Sequence, residues 1–114
     1  KQFLDMQQKA LYLKFQEDLK EDVNDQYIGE HGSRDITYDL PGKVDDVCFV
    51  RNDEGNLAIY FSDKPFPERS TIPKINLDKT LEVTSPLCFH SEEKKITLSL
   101  VKEIGENFVT IRSN

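Results

Sequence analysis

From the first residue, apolar positions recur with helical spacing. Leu4, Leu11, Phe15, Leu19 and Val23 follow at intervals of seven, four, four and four, with Phe3, Met6, Ala10 and Leu13 as a shoulder beside the stripe. That periodicity predicts an amphipathic helix over residues 1–28, uninterrupted by Pro or Gly. The helix should stop near Tyr27-Ile28-Gly29, because Gly29 is free to take the left-handed conformation that ends helices, and Gly32 follows closely. No Ser, Thr, Asn or Asp precedes Asp5 to cap the start. An uncapped, already apolar start reads as the interior of a longer helix. The expectation is that the natural chain continues upstream into a membrane-anchoring helix; the alternative is an ordinary N-terminal helix with frayed ends.

From Arg34 the period changes to two. Ile36, Tyr38 and Leu40 alternate with Asp35, Thr37 and Asp39, the pattern of a half-buried strand, and Pro41-Gly42 signals a turn. Val47-Cys48-Phe49-Val50 is apolar on both faces, as an interior strand would be. Asn52-Asp53-Glu54-Gly55-Asn56 supplies a turn with Gly55 suited to positive φ, and Leu57–Phe61 returns as the partner strand. A similar figure follows, with Leu87-Cys88-Phe89-His90, a turn at Ser91–Lys94, and alternating Ile96–Leu100. Aligned on the cysteines, Phe49 matches Phe89, and Ile59 and Phe61 fall beside Leu98 and Leu100. A last turn over Glu103–Asn107 leads to Phe108–Ile111. Between the two figures, Pro65, Pro67 and Pro73 forbid a central strand, so residues 62–85 should hold one or two short edge strands, at Ile75–Leu77 and Leu81–Val83, on a long loop. No crossover helix joins any pair of strands. The reading is α+β, mainly β: an N-terminal helix over 1–28, then an antiparallel sheet or small sandwich over 34–114.

The chain has 114 residues, a length that suits one domain. No apolar run reaches the roughly 18 residues a spanning helix needs. Acids outnumber bases 21 to 15, for a net charge of −6, which argues against nucleic acid or an anionic lipid surface as the main partner. The imbalance is local, because residues 1–60 hold 13 acids and 7 bases while residues 61–114 hold 8 of each. Glu17, Asp18, Glu21, Asp22 and Asp25 crowd the helix C-terminus, where negative charge opposes the macrodipole. That end should be soft, or face a cation or a basic partner; a solvated face is the plainer reading.

Cys48 and Cys88 occupy equivalent places in the two strand figures, which would allow a disulfide closing a loop of about 40 residues, worth on the order of 4 kcal/mol, and would imply an oxidising compartment. Two separate buried thiols are the alternative. Cys88 and His90 share one side of a strand, but the only other histidine, His31, lies in the Gly29–Gly32 loop, so neither a metal site nor a thiolate–imidazole pair is supported. Asp45-Asp46 and Asn52–Asn56 offer carboxylates; the second resembles a fragment of a calcium loop without its alternating ligands or closing Glu, and a solvated turn is favoured. There is no phosphate-binding glycine loop, no nucleophile elbow, no zinc-protease motif and no Asn-x-Ser/Thr sequon. No catalytic residue, cofactor or metal ligand is assigned.

The runs Tyr38-Asp39-Leu40-Pro41-Gly42-Lys43-Val44-Asp45-Asp46-Val47-Cys48-Phe49-Val50 and Ser85-Pro86-Leu87-Cys88-Phe89 resemble a group of small archaeal proteins that are loosely pilin-like in layout, with an N-terminal transmembrane helix followed by a β domain outside the membrane. The apolar half-helix, leader-peptidase site and early glutamate of true type IV pilins are not in this sequence. The resemblance implies an exported, membrane-tethered domain without a known active site. Two functions follow. The first is a non-enzymatic extracytoplasmic structural or interaction module whose partner is a protein or a second copy of itself. The alternative is a small ligand-binding or enzymatic β domain that uses the 62–85 loop as a rim, with Tyr60, Phe66 and His90 as contacts.

Overall fold

A computed structural model describes residues 2–29 and 31–113, with the helical side chains from Gln8 onward. The fold is α+β and mainly β, as the patterning predicts. Helix α1 (Gln2–Ile28) is followed by β1 (Gly32–Asp39), β2 (Val44–Phe49), β3 (Leu57–Phe61), β4 (Glu68–Ser70), the short helix α2 (Leu77–Thr80), β5 (Leu87–His90), β6 (Lys95–Lys102) and β7 (Thr110–Ser113). The strands form two antiparallel sheets, ordered β1-β6-β7 and β4-β3-β2-β5.

Both sheets and α1 share one core. The helix contributes Phe15, Leu19 and Val23, all buried, so the predicted stripe holds over its C-terminal half. Leu11 and Leu13 are exposed, and the side chains of Phe3, Leu4 and Met6 lie outside the described residues. The Phe15 ring meets Tyr38 of β1 edge-on, with centroids 5.4 Å apart, and Tyr12 meets Phe61 at the end of β3 in the same way at 5.8 Å. At 1.5 Å per residue the helix is about 40 Å long, which accounts for much of the 49 Å long axis of a molecule only 23 Å across.

The β2–β3 hairpin forms as expected, with β2 interior between β3 and β5. Val44 and Val47 are both buried although three residues apart, which a strict period of two forbids. A register shift between Val44 and Asp46 resolves this by adding a residue on the β2 side. At the hairpin turn Gly55 takes φ of 146°, and a Cβ there would sit 2.4 Å from the Ser70 carbonyl oxygen, so glycine is required both for conformation and for the close approach of β4.

Four expectations are corrected. First, β5 and β6 are not a hairpin of one sheet: β5 pairs with β2, and β6 pairs with β1 and β7. Their tight turn, closed by a Glu92–Lys95 bridge, carries the chain between sheets, and no local signal separates that role from a hairpin turn. Second, the edge strand of the 62–85 region is β4. Ile75 makes only an isolated bridge with Val109, and Asn76 caps α2 by accepting from the Lys79 N–H at 3.1 Å, which converts the stretch expected as strand into a helical turn. Third, Phe108 and Val109 precede β7 instead of opening it. Fourth, α1 ends where expected, but Gly29 has no positive φ. The Lys102 ammonium closes that end instead, donating to the carbonyls of Tyr27 at 2.5 Å and Gly29 at 3.2 Å.

Candidate interaction surfaces

Cys48 and Cys88 stand directly opposite each other on β2 and β5 and form a disulfide, with Cα atoms 4.0 Å apart. The two halves differ in environment, since Cys48 is 2 % exposed while Cys88 lies on the solvent face of an edge strand. His90 shares that face, and its Nδ1 lies 3.1 Å from Asp46 Oδ1, directly across the register. With both sulfurs bonded to each other, Cys88 and His90 form no thiolate–imidazole pair. His31 is exposed in its loop.

The calcium-like turn is occupied by structural bonds. Asn52 Oδ1 accepts from the Glu54 N–H at 2.7 Å, and the Asn56 carboxamide exchanges two 2.8 Å bonds with the backbone of Ile72. Asp45 gives its carbonyl to the Ser91 N–H. Among the described residues no group of three or more His, Cys, Asp or Glu could hold a metal.

The acidic end of α1 is divided by the fold. Asp18 pairs with Lys14 at 2.9 Å. Asp22 accepts from the Tyr38 hydroxyl at 2.8 Å and lies 4.0 Å from Arg34, whose guanidinium also donates to the Asp22 carbonyl at 3.1 Å. Glu17, Glu21 and Asp25 lie on the exposed side of the helix. The cation expected at this end is therefore supplied internally, by Arg34 of β1 and Lys102 of β6, while Lys74 sits 4.6 Å above the Tyr27 ring.

Burial first, and the hydrogen bond to Asp22 second, push the Tyr38 phenol well above its ordinary range. The fold thus favours the neutral phenol. Below the unfolded value of about 10 that preference is fully present as stability, and it is lost as pH rises above it, because the unfolded chain then gives up a proton that the folded chain keeps. Tyr38→Phe should be less stable than the parent by about 1–2 kcal/mol at neutral pH through loss of a bond to a carboxylate. That gap should narrow above about pH 10. Melting temperatures of both proteins across pH 7 to 11 test this; a gap that stays constant contradicts it.

Two surface grooves accompany these features. One, of about 460 Å³, runs between β5 and the outer face of the β1-β6-β7 sheet and is lined by Cys88, His90, Lys95, Thr37, Thr97 and Ser113, among others. The other, of about 500 Å³, lies between α1 and the loop after β3. Tyr12 and Phe61 form its aromatic floor, Lys9, Lys43 and Lys64 line it with Asp63 and Glu68, and the Lys64 ammonium sits 4.9 Å over the Phe61 ring. Gln8 Oε1 is buried there without a hydrogen-bond partner among the described residues. This groove uses the start of the 62–85 loop as a wall, but Tyr60, Phe66 and His90 do not line it. Tyr60 and Phe66 point to solvent, and His90 lines the other groove. Nothing in the local sequence marks Tyr12 or Phe61, whose meeting depends on how α1 crosses the end of β3.

No protein-family model matches the chain, and no curated protein or solved structure matches it.

Proposed function

We propose that the chain is a non-enzymatic extracytoplasmic interaction module, a protein-binding domain displayed on the outer side of a cell membrane. The observation that carries the reading is the Cys48–Cys88 disulfide joining an interior strand to an edge strand, since such bonds persist in oxidising compartments. The layout of one long helix against an antiparallel β domain supports the pilin-like reading. No helix among the described residues is long and apolar enough to cross a membrane, so tethering is assigned to no described element. The asymmetric acidity of the first half of the chain favours a cationic protein partner over an anionic one.

The test uses protein isolated from its source cells without reduction. Thiols titrated under denaturing, non-reducing conditions should be absent, and the native mass should exceed that of the single chain. Two free thiols would remove the compartment argument, and a strictly monomeric species would remove the interaction argument.

A second reading is favoured by the Tyr12–Phe61 groove, whose aromatic floor and three lysines, Lys9, Lys43 and Lys64, suit a small anionic aromatic ligand. Saturable binding of an aromatic carboxylate, lost in Phe61→Ala, would support it over the first.

A further inference from the structure

The sheet order leaves β1 at an edge, paired with β6 alone. It is as long as any strand in the protein, eight residues or about 27 Å, and all of it except Ile36 and Tyr38 is exposed. In an antiparallel ladder alternate residues exchange both backbone bonds with the same neighbour. The bond from the Leu40 N–H to the Lys94 carbonyl fixes the phase here, so Tyr38, Ile36, Arg34 and Gly32 bond to β6. Ser33, Asp35, Thr37 and Asp39 therefore turn their N–H and C=O groups away from the sheet. No hydrogen bond among the described residues uses those groups. An edge of this length with free donors and acceptors is a template for another strand.

The side chains around the edge are acidic on both faces. On the core side, Asp22 of α1 reaches Tyr38 and lies 4.0 Å from Arg34, and Asp18, one turn before it, pairs with Lys14. On the outer face lie Asp35, Thr37 and Asp39. Asp39 is held by Lys95, but Asp35 is held by the neutral Ser99 hydroxyl, which leaves its charge uncompensated among the described residues. Residues 14–39 together hold eight acids and three bases. A second copy of the chain docked here would set this acid-rich flank against its own image. A basic strand would complement it.

We infer that the free edge of β1 is the docking site for an extended basic segment of a protein partner, added as a fourth strand to the β1-β6-β7 sheet. Side chains of the added strand opposite Asp35 and Asp39 would be cationic, and the one opposite Thr37 small or hydroxylic. The inference rests on the interaction-module reading and specifies where its partner binds.

The test uses the intact, disulfide-bonded chain with two short capped peptides, one alternating lysine and threonine and the other with glutamate for lysine. Amide hydrogen exchange is read residue by residue. The basic peptide should slow exchange at Ser33, Asp35, Thr37 and Asp39, and the acidic one should not. Thr37→Pro removes one free N–H without touching a backbone bond to β6, giving up only the 2.7 Å contact between the Thr37 and Thr97 hydroxyls, and should weaken binding by about ten-fold. Asp35→Asn with Asp39→Asn, a pair that leaves the edge backbone intact, should weaken it by a similar factor of about ten. Protection elsewhere, equal binding of both peptides, or no binding at millimolar peptide would overturn the inference while leaving the thiol and mass results untouched. Protection of the same four amides that grows with protein concentration alone would give the edge to a second copy, and would equally overturn it.

Discussion

Cys88→Ser should lower the unfolding free energy by about 4 kcal/mol, and Cys48→Ser by about 1–3 kcal/mol more. Either change breaks a link between residues 40 apart in sequence, and the common loss is the loop-closure entropy returned to the unfolded chain. Matched strand positions alone would make the two losses equal. The structure makes them unequal, because the sulfurs differ in burial. Serine at position 88 places its hydroxyl in water and leaves Cys48 as a buried thiol, an environment thiols favour. Serine at position 48 instead buries a hydroxyl where almost no surface is accessible. For a domain with total stability of about 5–15 kcal/mol, either loss is a large fraction. Urea unfolding of both variants beside the reduced parent decides the matter. The reduced parent should track Cys88→Ser, and equal costs for the two serine variants would contradict the asymmetry.

Phe15→Ala should cost about 3–5 kcal/mol and loosen α1 from the sheets. Phe15 is 2 % exposed, packs edge-on against Tyr38, and stands at the start of the buried series continued by Leu19 and Val23. Among the described residues, no other aromatic ring from the helix is fully buried between α1 and the two sheets, so the cavity would be large and poorly refilled. Leu13→Ala is the control. Leu13 is 48 % exposed two residues away, and its loss should change stability by less than about 0.5 kcal/mol. Denaturant midpoints give both numbers, and exchange rates of the α1 amides separate local undocking from global loss. Similar costs for the two variants would mean that the helix docks by a different face.

Docking of α1 bears directly on the proposed interaction. The Asp22 carboxylate reaches the β1 edge only while Phe15, Leu19 and Val23 hold the helix against the core. A helix that undocks would take that carboxylate away from β1, so Phe15→Ala should also weaken binding of a basic strand.

Local spacing alone was enough to place α1, the β2–β3 hairpin, Gly55 and the β6–β7 turn. Each depends on a period or a turn chemistry contained within a few residues. The cysteine pairing was legible as a possibility because the two strand figures match. The candidate surfaces were only half legible. The acids at the end of α1 stand out in the sequence, but their internal cations do not: Arg34 is 12 residues from Asp22, and Lys102 is more than 70 from the helix end it caps. Tyr60, Phe66 and His90 drew attention as aromatic or titratable residues near a long loop, yet none reaches the groove built on Tyr12 and Phe61.

The sequence by itself determined the fold class, the burial phase of most strands and the acid-rich first half, because side-chain period, turn preference and charge are local properties. The tertiary structure decided which strands share a sheet. The turn at Ser91–Lys94 reads the same whether β5 pairs with β6 or leaves it for β2, and only the choice of β2 sets Cys88 opposite Cys48. The same partition of strands leaves β1 with one neighbour instead of two. An edge is a property of the whole sheet, since the backbone groups of Ser33, Asp35, Thr37 and Asp39 are free only because no other strand among the described residues comes to meet them.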